Sequence, residues 1–157
     1  MDMSMSMTHY MELLATNQPW NLIIFMAIPV ILAEYIAVTE LYILLNRNNS
    51  TLQKTNRLAG IALGFYFLGI FIYLLFNVVV PLTVGGGWRG PADVIAVSFY
   101  LLGVVPLFGM ALLGLGALKR NGTDLEKLTL HTTLVAIFLV VAHIAMIFGM
   151  LNPMILQ

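Results

Sequence analysis

The chain opens MDMSMSMTHYM, with methionine at positions 1, 3, 5, 7 and 11 and histidine at position 9. Side chains alternate along an extended chain, so Met1, Met3, Met5, Met7 and His9 share one side. Thioethers are soft ligands that select Cu(I) over oxygen-loving cations, and imidazole is a compatible partner. The bland alternative is an unstructured tail whose methionines touch a bilayer surface. A second set lies near the other terminus, in HIAMIFGMLNPM. His143, Met146 and Met150 stand at i, i+3 and i+7, one helical face. The candidate metal ligands are therefore Met3, Met5, Met7, His9, His143, Met146 and Met150.

Glu34, Glu40 and His131 are the other polar groups placed to do chemistry. Glu34 and Glu40 interrupt AIPVILAEYIAVTELYILL, and ionisable groups inside an apolar span are functional candidates by default. At about 1.5 Å of rise per residue, Glu34 is roughly 16 Å above Leu45 and His143 roughly 22 Å above Leu128. Glu40 and His131 are roughly 7 and 5 Å above the same references. The depths predict that Glu40 meets His131 and Glu34 meets His143, wherever the first and last spans touch. Such carboxylates can ligate a metal, orient a ligating histidine or relay protons. They can equally be buried structural groups bonded to neighbouring helices.

The elements that position these residues follow from hydropathy. Of 157 residues, 61% are hydrophobic and 9% charged, against about 25% charged in soluble domains. Mean hydropathy is +0.96. Four stretches reach the roughly 20 residues needed to cross a bilayer, at about 20–45, 58–82, 94–118 and 128–151. Short links between them predict a single all-α domain, an antiparallel four-helix membrane bundle. Residues 1–19 form a Met-rich tail, in which THYMELLA can make a short interfacial helix.

Lysine and arginine set the orientation. Arg47, Lys54 and Arg57 flank the first connection, and Lys119, Arg120 and Lys127 flank the third. The middle loop has Arg89 alone and the tails have none. The positive-inside rule puts the two basic loops in the cytoplasm and both termini on the outer, periplasmic side of a bacterial inner membrane. No basic region precedes an early apolar run, so no cleavable signal peptide is expected. The tail then folds over the outer mouth of the bundle, near the His143–Met146–Met150 face. Asn77 and Asp93, at the outer ends of the second and third spans, are further polar groups for that site.

Other features read as structural. Pro29 frees the Phe25 carbonyl and Pro106 that of Leu102, which permits kinks. Gly60 and Gly64 make a small-xxx-small pair for close packing. The absence of cysteine excludes disulfides, zinc–thiolate sites and iron–sulfur clusters. A net charge of zero gives no electrostatic case for nucleic acid. Phosphate-binding, nucleophile-elbow and zinc-protease motifs are missing, so nothing calls for an enzyme.

The segments NQPWNLIIFMAIPVILAEY and AHIAMIFGMLNP, with the spacing between them, resemble those of small, uncharacterised four-span bacterial membrane proteins, sometimes labelled permease-like. The resemblance implies the four-helix bundle and no activity. The residues themselves favour a copper-handling membrane protein that binds or delivers Cu(I), or an accessory subunit doing so within a larger complex. A b-type haem electron carrier is the alternative. His131 and His143, about 18 Å apart along one helix, cannot share a haem, so it would need Met26 or Met110 as second ligand. A structural subunit, or a small transporter acting through self-association, is the third reading.

Overall fold

A short helix, α1 (His9–Ala15), begins the described part of the chain, and local chemistry starts it cleanly. Thr8 is its N-cap, with the hydroxyl accepting from the Met11 backbone N–H. The structure, a computed structural model, describes residues 7–47 and 49–156. Met3 and Met5 lie outside them.

Four helices long and apolar enough to cross a membrane follow. They are α2 (Trp20–Leu45), α3 (Ser50–Gly85), the pair α4 (Pro91–Leu102) and α5 (Val104–Gly114), and α6 (Asp124–Met150). Helix is the dominant structure, and no strand occurs among the described residues. The sequence expectation of four spans holds. Two of the helices run well past their apolar segments, because caps decide where a helix ends and hydropathy does not. The Asn49 side chain accepts from Leu52 N–H and starts α3 eight residues before Leu58. Thr123 and Glu126 form a capping box that starts α6 at Asp124. Gly86, at φ 64°, terminates α3 in the left-handed conformation.

Proline shapes two spans. The turns Ile23–Ala27 and Leu75–Val79 are π-helical, and each lies just before a proline, Pro29 and Pro81. A proline ring collides with the carbonyl four residues back, and a wider turn relieves that collision. The freed Phe25 carbonyl accepts the Tyr100 hydroxyl of α4 at 2.6 Å, and the Ile24 carbonyl accepts the Tyr66 hydroxyl of α3 at 2.8 Å. The third span breaks at Gly103, three residues before Pro106.

The bundle packs through small residues and a compact aromatic core. A Cβ on Gly64 would run into the Leu107 carbonyl and the Ala111 side chain, so α3 and α5 approach backbone to backbone. Gly114 meets Ile61 in the same seam. Phe67 lies against Tyr100 and Phe138, with ring centroids 5.2 and 6.2 Å apart. Leu63, Leu107, Met110 and Ile36 fill the core around them. Outside, Ile31, Val38, Phe76, Val105, Val140 and Ile147 are exposed, as befits side chains whose solvent is lipid.

Candidate functional site

Two polar clusters lie at opposite ends of the bundle. The first is built around Asp93, in the first turn of α4, which is fully buried. One oxygen accepts the His9 backbone N–H at 2.6 Å. The other lies 2.5 Å from His9 Nδ1 and accepts the Arg89 backbone N–H at 3.2 Å. The carboxylate therefore sits at two helix N-termini, those of α1 and α4, where the backbone dipoles favour negative charge. Arg89 completes the cluster by donating to the Met7 carbonyl at 2.7 Å and pairing with Glu12. Thr8 donates its hydroxyl to the Gly149 carbonyl at 2.6 Å, capping the end of α6. Tyr10 packs against Gly149, where a Cβ would collide with its ring, and burial pushes its phenol up to about 12. The N-terminal segment thus folds over one mouth of the bundle, as a helix tied to α4 and α6.

His9 is held in an arrangement with chemical potential. Its Nδ1 is fixed by a buried carboxylate, while its Nε2 has no hydrogen-bond partner among the described residues. The ring is 17% exposed and stands edge-on to Trp88, centroids 6.3 Å apart. A carboxylate on one nitrogen fixes the tautomer and orients the other nitrogen toward a ligand. Among the described residues no three His, Asp or Glu side chains converge to hold an ion. A complete metal site here would need thioethers.

The second cluster lies toward the basic loops. His131 Nδ1 is 2.7 Å from Glu40 Oε1, and both side chains are buried between α2 and α6. His131 Nε2 faces Gly60, 3.1 Å from where a Cβ would stand, so a glycine there makes room for the ring. Beside this pair, Asn56 donates to Thr39 Oγ1 at 2.7 Å and to the Ile36 carbonyl at 3.0 Å. These bonds tie α2, α3 and α6 together.

The Glu40–His131 contact fixes the register of α2 against α6 and separates the other expected pair. Glu34 is six residues above Glu40, about 9 Å, and His143 twelve above His131, about 18 Å. They differ in height by about two turns and do not meet. Glu34, expected to be buried, is exposed on the outside of the bundle. His143 is exposed too, with Nδ1 2.6 Å from the Leu139 carbonyl of its own helix. Height separates the two, and the angle of each helix turns both side chains outward. Met146 faces inward, lining with Met26 a small cavity of about 30 Å³, while Met150 is 76% exposed at the end of α6. The three ligand candidates of α6 therefore diverge within this chain. Asn77 donates to the Tyr73 carbonyl of its own helix at 2.8 Å and is far less engaged than Asp93.

Glu12, Thr8 and Tyr100 were not singled out from sequence. Only Arg89 carried a signal, as the one cation outside the basic loops, four residues before Asp93.

Four long apolar helices around a small core, closed at one end by a docked helix, define an integral membrane protein. The chain belongs to the family of unknown function DUF6803, whose model matches residues 5–157. No match was found among curated proteins or among solved structures.

Proposed function

We propose that this membrane protein takes up a soft cation, Cu(I), at the end of the bundle where α1 is docked. His9 supplies the imidazole through Nε2, and Met7 and the preceding Met3 and Met5 supply thioethers. The observation that carries the reading is the His9–Asp93 contact at 2.5 Å, which orients one nitrogen and leaves the other free. A histidine bonded only for structure needs no methionines at every second position beside it. Met150, exposed at the same end, is a further thioether that the site can recruit. His143 and Met146 have no part in this site within one chain, since α6 turns them elsewhere.

In this reading the spans run antiparallel and the two basic loops face the cytoplasm. Both termini and the metal site then face the outer, periplasmic side of a bacterial inner membrane. Low-coordinate thioether–imidazole binding suits capture and hand-over of copper, alone or as an accessory subunit of a larger complex. It calls for no bond-making chemistry.

Competition for Cu(I) against a chromogenic chelator tests the site on the full-length protein in detergent. The expected result is one Cu(I) per chain, unaffected by excess magnesium or calcium. His9→Ala should weaken binding by about tenfold or more, in the range for loss of metal-site partners. Equal binding by the variant would refute the assignment.

A further inference from the structure

At the opposite end of the bundle, a cavity of about 460 Å³ opens among the basic loops. Its volume is that of a ligand pocket rather than a packing defect. Arg47 at the end of α2, Arg57 in the first part of α3 and Lys127 in the first turn of α6 all line it. Asp124 is its one acidic lining residue among the described residues, and the buried Asn56 and His131 also line it. The ends of four spans thus converge three cations on one concavity. Lys54 in the first turns of α3, with Lys119 and Arg120 in the third connection, adds positive charge at the same end of the molecule.

The cations are differently prepared. Arg57 donates its Nε to the Gly114 carbonyl, which fixes the guanidinium and leaves its two terminal nitrogens for other acceptors. Neither Arg47 nor Lys127 forms an ion pair among the described residues. Glu40 does not line the cavity and is engaged with His131 instead. Apolar side chains, Leu113 and Leu128 among them, make up much of the remaining wall. Three converging cations around one acid are a poor place for a metal cation and a good one for a multivalent oxyanion. Guanidinium groups match a phosphate with paired hydrogen bonds, and lysine adds a point charge.

We propose that this cavity binds a phosphate group, held by Arg47, Arg57 and Lys127. The group can arrive on the headgroup of an anionic phospholipid or on a soluble phosphate. Basic pockets between membrane helices hold lipid headgroups by the same chemistry. The proposal is independent of the copper reading, since it uses none of the same residues and lies at the other end of the bundle.

The test uses the full-length protein in a mild detergent, with native mass spectrometry and thermal unfolding as readouts. The probes are inorganic phosphate, phosphatidic acid and phosphatidylcholine of matching acyl chains. Saturable binding of phosphatidic acid in preference to phosphatidylcholine is expected. Inorganic phosphate that competes with it shows a site open to soluble ligands; failure to compete shows a headgroup site anchored by the acyl chains. In either case the double variant Arg47→Gln/Lys127→Gln should bind about tenfold or more weakly, since each change removes a charge-assisted bond. Should that variant not fold, the wild-type salt series decides. Binding must weaken between about 50 and about 500 mM sodium chloride, as screening of exposed charges requires. Equal affinity for the two lipids, an unaltered double variant or salt-insensitive binding overturns the proposal, as does failure to bind either phosphate probe.

Discussion

Glu40 and His131 show how much a single pair does in a bundle this thin. They join α2 to α6, a seam otherwise sparsely packed, while Asn56 separately ties α3 to α2. Glu40→Gln keeps an acceptor for the ring and should cost about 0.5–1 kcal/mol, the scale of interhelical hydrogen bonds in membranes. Glu40→Ala leaves a buried imidazole nitrogen unmet and should cost about 1–3 kcal/mol. Thermal unfolding in detergent compares them; equal losses would show that the hydrogen bond contributes nothing beyond side-chain volume. This pair was legible in the sequence, because depth along a helix follows from residue count. Glu34 and His143 were not placed correctly by the same count. Their facing depends on where Glu40 meets His131, which is a fact of tertiary packing. Asp93 was visible as a polar group near a helix start. Its grip on His9 was not, since nothing local links residues 84 positions apart.

At the scale of elements, small residues set the distances. Gly64 and Gly114 let α3 and α5 touch along their backbones, and Gly60 gives His131 its place. The sequence announced this seam through the spacing of Gly60 and Gly64. Gly64→Leu should force the helices apart and destabilise by about 1–3 kcal/mol or more, as overpacking does. Gly69, around which a side chain would find open space, serves as the control. Gly69→Leu should leave the melting temperature almost unchanged. A Gly64→Leu protein as stable as this control would show that the close approach is unimportant. Helix ends were less legible than helix existence. The caps at Asn49 and at Thr123 with Glu126 lie in polar sequence that hydropathy discards, although the Thr-x-x-Glu pattern itself is a start signal. The π turns ahead of Pro29 and Pro81 answer a clash that sequence reveals only as a proline.

For the whole molecule, function depends on which end faces which compartment. Six of the seven lysines and arginines flank the first and third connections, so reporter fusions after Asn49 and after Gly122 should read cytoplasm. A fusion at Gly86 should read the outside. The reverse pattern would place the His9 cluster in the cytoplasm and remove the case for capturing periplasmic copper. The four spans were plain from composition, and the closing of one mouth by α1 was foreshadowed by THYMELLA. The cavity among the basic loops was not, because it is formed by the ends of all four spans meeting in space.

The central claim is that imidazole and thioether from the N-terminal segment share one soft cation. X-ray absorption at the copper edge, on full-length protein loaded with one Cu(I), tests it most directly. Low-coordinate Cu(I) with sulfur scatterers and one imidazole nitrogen is the predicted spectrum, with the imidazole contribution lost in His9→Ala. A shell of oxygen and nitrogen without sulfur, or an unchanged spectrum in His9→Ala, would contradict it.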